Sequence, residues 1–337
     1  MDATVETVPL ISVRGLEASL GAEAGDTQVL RGIGLDIAPG EIVGLVGESG
    51  SGKTMTALSM LRLLPPTVNV TAGSIEFAGS DLLKLKARQL QAVRGGRIAM
   101  IFQDPVRHLN PVFTIGQQLE AVIRAHAGAR LSKSAVREQA IALLDQVKIN
   151  DPAERLGSYP HQFSGGMAQR VMIALALAGS PDLLLADEPT SALDVTVQAE
   201  ILLLLRGIAR QRGMSILFIS HNLAAVWQLC DRICVMYAGE IVEDAATDTV
   251  VHRPRHPYTK ALIGALPKLD QARARLANIP GTMPALSELP SGCAFHPRCA
   301  MATAECAAQA PQLRPVGVRH LARCYHAEEL AESDHVS

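Results

Sequence analysis

The sequence predicts an α/β protein in which a mostly parallel sheet is covered by helices and preceded by a small antiparallel sheet. An almost wholly apolar run at 41–46 is followed by a glycine-rich turn and a helical stretch at 55–64. This order is typical of a buried parallel strand and its crossover helix. In the second half, helical stretches alternate with apolar runs of strand length at 183–186 and 216–219, which favours a parallel sheet. Residues 8–46 alternate short apolar segments with turn signals, a pattern of antiparallel strands.

The turn after the 41–46 strand carries the first chemical motif, a glycine followed by four residues and then Gly-Lys-Ser/Thr. Its residues are Gly47, Glu48, Ser49, Gly50, Ser51, Gly52, Lys53 and Thr54. The glycines let successive backbone N–H groups turn towards a phosphate, and the helix start adds its positive dipole end. Lys53 is expected to reach the β- and γ-phosphates and the Thr54 hydroxyl to ligate magnesium. The motif predicts a nucleoside triphosphate site, because a glycine-rich turn with an incidental lysine does not require the flanking strand and helix.

Two adjacent carboxylates, Asp187 and Glu188, follow the apolar strand at 183–186. Asp187 is expected near the magnesium shell, and Glu188 is expected to polarise water for attack on the γ-phosphate. Adjacent carboxylates are common at ordinary strand ends, so this interpretation depends on the phosphate loop. Upstream, Ser164 and two glycines begin a helix. They form either a second anion-binding helix start or a simple N-cap on a core helix.

In their order along the chain, these motifs resemble the ATPase domain of ABC-type transporters. The matching positions are the phosphate loop, Gln103, Ser164-Gly165-Gly166, Asp187-Glu188, Ser191-Ala192-Leu193-Asp194 and His221. The resemblance implies a P-loop NTPase (RecA-like) core with an N-terminal antiparallel β-subdomain, an ABC helical subdomain and a C-terminal extension. In that family, ATP and Mg²⁺ are sandwiched between the phosphate loop of one domain and the Ser-Gly-Gly helix of another. This single-domain chain is therefore expected to need a second, homologous ATPase subunit.

The same resemblance assigns individual roles. Gln103 is expected to contact magnesium and the attacking water and to sense the transmembrane partner. His221 is expected to hold the γ-phosphate, and Glu188 completes the catalytic set with these two. Asp194 is expected at the interface between two ATPase domains. The expected magnesium ligands are Thr54, Gln103 and Asp187.

Finer motifs narrow the resemblance to ATPase subunits of di- and oligopeptide importers, and most closely to the D-type subunit. They are Gln103-Asp104-Pro105, Leu109-Asn110-Pro111, Tyr159-Pro160-His161-Gln162-Phe163, Ala192-Leu193-Asp194-Val195-Thr196-Val197-Gln198, His256-Pro257-Tyr258-Thr259 and Ile279-Pro280-Gly281. The resemblance implies a nucleotide-binding domain at 8–252, with a helical subdomain at about 85–160, and an extension at 253–337. A proline- and histidine-rich stretch at 252–257 is interpreted as the linker between them. The implied partners are two transmembrane permease subunits and an extracytoplasmic solute-binding protein.

Leu20 departs from the family pattern, because it falls where an aromatic residue of the N-terminal sheet usually stacks on adenine. An aliphatic side chain lacks aromatic stacking, which contributes about 1 kcal/mol. We therefore expect weaker discrimination between ATP and GTP than in relatives.

The composition is that of a globular chain: 337 residues, 48% hydrophobic, with a formal net charge of −2. The near-neutral charge and the lack of a long basic block argue against a nucleic-acid partner. The apolar stretches are too short to span a bilayer and the N-terminus lacks a signal layout, so we expect a peripheral protein on the cytoplasmic face of the inner membrane. Two alternatives stay open. One is a same-subfamily importer of glutathione, nickel or a sugar-linked peptide, and the other is a soluble ABC ATPase acting on nucleic acid or ribosomes.

Four of the six cysteines follow a C-x5-C-x6-C-x17-C pattern near the C-terminus, at Cys293, Cys299, Cys306 and Cys324. Structural zinc sites favour tighter pairs, whereas some peptide-importer ATPases carry a four-iron cluster in this region and thiolates suit iron–sulfur chemistry. A [4Fe-4S] cluster is favoured here, with zinc and unligated cysteines open. Cys230 and Cys234 are expected in the core. The histidines of the tail are expected at the surface; they are His296, His320 and His326.

Overall fold

A computed structural model describes residues 8–21, 27–127, 130–191, 193–265 and 279–333. These residues form two compact units. The first comprises the described parts of 1–37, 42–83 and 219–337, and the second comprises 38–41 and the described parts of 84–218. Ala192 of the predicted Ser-Ala-Leu-Asp motif and residues 266–278 of the predicted extension lie outside the described residues.

The helices and strands follow the chain in three stretches. The first contains β1 (Ile11–Leu20), β2 (Thr27–Ile37), β3 (Ile42–Val46), α1 (Lys53–Met60), β4 (Val68–Phe77) and β5 (Ser80–Asp81). The second contains α2 (Ala87–Val93), β6 (Ile98–Ile101), α3 (Pro105–His108), α4 (Ile115–His126), α5 (Lys133–Gln146), α6 (Pro152–Arg155), α7 (Gly165–Leu177), β7 (Leu183–Asp187), α8 (Val195–Arg212) and β8 (Ser215–Ser220). The third contains α9 (Leu223–Leu229), β9 (Arg232–Tyr237), β10 (Glu240–Ala246), α10 (Thr247–His252), α11 (Pro257–Gly264), α12 (Ala304–Ala308), β11 (Arg314–Gly317), β12 (His320–Ala322) and α13 (Ala327–Ser333). Within the described ranges, none of the helices combines the length and apolarity needed to cross a membrane.

The first unit contains the predicted antiparallel sheet, with the strand order β2-β1-β4-β5. β1 pairs with β2 from Ile11 opposite Ile37 to Leu20 opposite Thr27. Fully buried aliphatic residues such as Ile11 and Val13 line its inner face, since side chains of a strand alternate between its two faces. The N-terminal antiparallel subdomain expected from the sequence is thus confirmed.

The first unit also contains the strand succession β11-β12-β10-β9-β3. β3 runs parallel to β9, with Val43 opposite Arg232 and Val46 opposite Val235. Every residue of β3 is buried, which explains its unbroken apolar sequence and confirms the predicted buried parallel strand. β9 and β10 form an antiparallel hairpin around the turn at Ala238 and Gly239.

In the second unit, β7 lies between β6 and β8, and β6 and β7 are parallel. All residues of β7 are buried. Helices α4, α5 and α7 pack against one another. Their N-termini are capped by hydroxyl side chains, as when Thr114 Oγ1 accepts a hydrogen bond from the backbone N–H of Gln117. The caps satisfy backbone donors that a helix start leaves without a partner.

The stretch at 252–257, interpreted from its composition as a linker, is instead anchored to the first unit. The backbone N–H groups of Arg255 and His256 donate to the carboxylate of Glu243 at 2.6 and 3.0 Å. Glu243 is fully buried and also pairs with Nε2 of His320 at 2.8 Å. His320 is therefore a core residue, and the expectation that it lies at the surface was wrong. Both errors arise because a single buried carboxylate gathers polar groups that are distant in sequence.

Candidate nucleotide-binding site

The phosphate loop joins β3 to α1 in the first unit, as predicted. Three of its glycines have positive φ: 155° at Gly47, 82° at Gly50 and 103° at Gly52. A Cβ atom on Gly47 would lie 2.2 Å from the backbone oxygen of Met236. The backbone path of the loop therefore requires glycine both for its dihedral angles and for its close approach to β9.

Lys53 and Thr54 stand at the start of α1, where no side chain caps the helix. The Lys53 ammonium donates to the carbonyl oxygens of Gly47 and Glu48, both at 2.9 Å, so its charge is held over the loop. Thr54 is exposed on the first turn. The uncapped N–H groups, the helix dipole and the lysine together form a site for a polyphosphate.

Two side chains that the sequence analysis did not assign to the site hold Glu48 of this loop. The backbone N–H of Glu48 donates to the hydroxyl oxygen of Tyr258 at 2.8 Å. Its carboxylate accepts two hydrogen bonds from the guanidinium of Arg298, at 2.9 and 3.0 Å. Tyr258 belongs to a motif that was noted only as a subfamily signature. Nothing in the spacing around Arg298 indicated a role.

Leu20 and His221 also lie in the first unit. Leu20, at the end of β1, is 47% exposed and can offer an apolar surface to a base. His221 directly follows β8 and is exposed. Both positions are open to a ligand, while the roles expected of them stay predictions.

The second unit holds the two carboxylates at the end of β7. Asp187 is the last residue of the strand and is buried. Glu188 follows it with a φ of 45°, a left-handed conformation that is unusual for a residue with a side chain. Nε2 of Gln103 donates to Oε2 of Glu188 at 3.0 Å. The structure therefore brings together the predicted base and the predicted water-positioning glutamine, and the strained backbone at Glu188 is a feature typical of functional sites.

Ser164 and Asp194 are N-caps of two further helices in this unit. Ser164 Oγ accepts from the N–H of Met167 at 3.4 Å at the start of α7, and Gly165 beside it is exposed. A Cβ on Gly166 would lie 2.7 Å from Val197, so close packing requires this glycine. Asp194 caps α8 by accepting from two backbone N–H groups. Capping thus explains both polar residues locally, and it leaves an exposed helix start at Ser164.

The four cysteines of the C-terminal tail line one small cavity of about 10 Å³, together with Phe295 and His326. Burial, and secondarily the neighbouring cysteine thiols, raise the pKa of Cys324 to about 12. Burial also raises the pKa of Cys306, but hydrogen bonds from Thr303 and His326 outweigh it and lower that pKa overall. Among the residues that the structure describes, no group of three or more His, Cys, Asp or Glu side chains is arranged to hold a metal ion. Cys230 and Cys234 are buried, as predicted.

Comparison with known proteins assigns the class. Residues 30–191 match the ABC transporter family, and residues 242–306 match the C-terminal region of oligopeptide and dipeptide transporters. The dipeptide transport ATP-binding protein of Escherichia coli (strain K12) is 44% identical over 317 residues, which cover 94% of this chain and 96% of that protein. A "Probable peptide ABC transporter ATP-binding protein" of Sinorhizobium fredii is 46% identical over 323 residues, covering 95% and 96%.

Solved structures agree with this assignment. A dimeric ATP-binding cassette in a post-hydrolysis state, bound to ADP and Pi, matches with a TM-score of 0.63 at 25% identity, over 70% of this chain and 98% of that one. The fold and the phosphate loop define a P-loop ATPase of the cassette type. The chain belongs to the family of ABC transporter ATP-binding proteins, in the branch that carries the oligopeptide and dipeptide transporter C-terminal region. The predicted fold class, family and ATPase activity are confirmed, while the predicted domain boundaries stay predictions.

Proposed function

We propose that this chain is the ATP-hydrolysing subunit of a bacterial importer of di- and oligopeptides, peripheral on the cytoplasmic face of the inner membrane. The observation that carries the proposal is the combination, on one chain, of the ATPase cassette with the C-terminal region of oligopeptide and dipeptide transporters. Import of another solute by the same kind of machine is the alternative, because the binding protein and the permeases select the solute. Action on nucleic acid or ribosomes has no supporting feature of its own.

In the proposed reaction, the loop N–H groups and Lys53 bind the β- and γ-phosphates of ATP, the substrate. Glu188 takes the proton from the attacking water. Gln103, which is hydrogen-bonded to Glu188, orients that water. His221 holds the γ-phosphate. The expected magnesium donors are a hydroxyl at Thr54, an amide at Gln103 and a carboxylate at Asp187, which match the preference of Mg²⁺ for oxygen ligands. When bound, magnesium supplies positive charge to the phosphates, and these side chains would hold it.

Two features of the second unit support the proposed partners. The start of α7 at Ser164 and Gly165 is exposed, so it is available to cap ATP bound by a homologous ATPase subunit. Val112 and Phe113 are exposed apolar side chains, at 75% and 50%. Neighbouring apolar side chains that face solvent are available for a protein contact, and we assign these two to the contact with the permease subunits, which receive peptide from an extracytoplasmic binding protein.

The proposal is tested with Glu188→Gln and the matched control Glu154→Gln, which makes the same chemical change on an exposed residue of α6. Glu188→Gln is expected to bind ATP normally and to lose turnover by about 10²-fold or more, the size of a general-base contribution. The control is expected to hydrolyse ATP at the wild-type rate. Unchanged hydrolysis in Glu188→Gln would remove Glu188 from that role.

The transport part is tested by purifying the chain from native membranes, identifying its companions, and measuring uptake of a dipeptide library in reconstituted vesicles. Peptide uptake that needs both ATP and this chain supports the proposal. Uptake of glutathione or nickel alone, or purification with ribosomes, contradicts it.

We further infer that the four tail cysteines form a [4Fe-4S] site. Support comes from the shared cavity that they line, while the small cavity volume means that the thiols must move apart to admit a cluster. Iron and sulfide analysis of protein purified without oxygen tests this, with Cys299→Ser expected to lose the iron and Cys230→Ser, in the core, expected to keep it. Stoichiometric zinc without iron, or no metal at all, contradicts the inference.

A further inference from the structure

The C-terminal region reaches the phosphate loop through one arginine. Arg298 lies at the end of a short 3₁₀ turn at His296–Arg298 and its side chain is only 7% exposed. Its guanidinium donates two parallel hydrogen bonds to the Glu48 carboxylate, at 2.9 and 3.0 Å. This fork-to-carboxylate geometry is the strongest and most directional form of ion pair in proteins.

The surroundings of Arg298 fix its direction. Nε donates to the backbone oxygen of Pro280 at 2.7 Å, and the guanidinium carbon lies 5.8 Å from the ring centroids of both Tyr237 and Phe295. A guanidinium stays protonated in proteins, so the arginine is a permanent cation at this position. A partly buried arginine held by a carbonyl and two rings has lost most of its rotamer freedom before nucleotide binds.

Glu48 is the second residue of the phosphate loop and is held at three points. Its N–H donates to Tyr258, its carboxylate accepts from Arg298, and its carbonyl accepts from Lys53. A carboxylate in a loop that binds a triphosphate is electrostatically unfavourable, because both groups are negative. The Arg298 fork cancels that charge and directs the carboxylate towards the C-terminal region.

We infer that Arg298 is a positioning residue of the nucleotide site: by neutralising and orienting Glu48 it raises the affinity of the phosphate loop for ATP, so that the C-terminal region is a working part of this site. The inference rests on the ATPase function proposed above. It concerns this chain's own residues.

A double-mutant cycle tests the inference, with the dissociation constant of ATP measured on the purified full chain and the steady-state constants measured on the complex purified from native membranes. Arg298→Ala is expected to bind ATP about tenfold more weakly, within the range of couplings between contacting charged residues. KM is expected to rise while kcat changes little, because the lost interaction acts on binding. The weakening is expected to shrink at high salt, which screens the uncovered carboxylate.

In the Glu48→Gln background, Arg298→Ala is expected to have little further effect, because no uncompensated carboxylate remains. Arg298→Lys is expected to fall between wild type and Arg298→Ala, since lysine keeps the charge and loses the fork. Arg314→Ala is the matched control: it removes an arginine of the same region that forks onto Glu328, and ATP affinity is expected to stay at the wild-type value.

Two results would overturn the inference. One is wild-type ATP affinity in both Arg298 variants, and the other is equal weakening by Arg298→Ala with and without the Glu48 carboxylate. Melting temperatures identify any variant that fails to fold. If Arg298→Ala is such a variant, Arg298→Lys replaces it in the double-mutant cycle. Failure of the proposed ATPase function is distinguishable, because it appears as absent ATP binding in the wild-type chain itself.

Discussion

His256 links the stability of this protein to pH. The side chain is 1% exposed, and its Nδ1 accepts a hydrogen bond at 3.0 Å from the backbone N–H of Tyr258. Through this hydrogen bond His256 caps the N-terminus of α11. Burial, and secondarily the positive charge of Arg323, lower the pKa of His256 to about 3. The ring is therefore neutral in the folded chain at any physiological pH, and protonation of Nδ1 would remove the cap.

The sign of the effect follows from proton uptake. Below pH 6.5 the unfolded chain binds a proton at His256 that the folded chain cannot bind, so the free energy of unfolding falls as the pH falls. Each pH unit between about 6.5 and 3 costs about 1.4 kcal/mol, and from pH 7.5 to pH 5.0 the loss is about 2 kcal/mol. The contribution is fully present above pH 6.5.

The substitution His256→Asn isolates this contribution, because asparagine is a good N-cap and does not titrate. Urea unfolding at pH 7.5 and pH 5.0 is followed by the fluorescence of Trp227, the single tryptophan, which lies in the same unit. Wild type is expected to lose about 2 kcal/mol more than His256→Asn between these pH values. The control His161→Asn, at an exposed histidine, is expected to behave as wild type. Equal pH dependence in wild type and His256→Asn would refute the reasoning.

Three further outcomes are expected. Gly47→Ala should abolish ATP binding, measured with a fluorescent analogue, since its Cβ would lie 2.2 Å from the Met236 oxygen. The contrasting variant Gly207→Ala changes an exposed helical glycine with open space around it. It should raise the free energy of unfolding by about 0.5 kcal/mol. Glu243→Ala should lower the free energy of unfolding by on the order of 3 kcal/mol in urea titrations, because it strands buried polar partners; a loss below about 1 kcal/mol would contradict this. Leu20→Tyr should raise the preference for ATP over GTP in competition binding by up to about tenfold through stacking on adenine, and an unchanged preference would show that Leu20 does not contact the base.

Much of the fold was predictable because its signals are local. The unbroken apolar run of β3, the glycines at Gly47, Gly50 and Gly52, and the strand before Asp187 each report a requirement of their own backbone segment. Such requirements hold whatever the rest of the chain does, so the sequence was sufficient for them. The contact between Gln103 and Glu188 could not be predicted from the sequence, because it joins residues on different elements of the second unit.

By itself, the sequence determined that this chain has a phosphate loop on a buried strand, a carboxylate pair after another, and an ABC ATPase arrangement of motifs. Only the tertiary structure decided that the supposed linker is anchored on Glu243, that His256 is a buried neutral cap, and that Arg298 holds Glu48 across 250 positions of the chain. The reason is physical. A requirement of the backbone is met by residues that are neighbours in sequence. A buried charge instead pairs with whichever segment folding brings within hydrogen-bond distance.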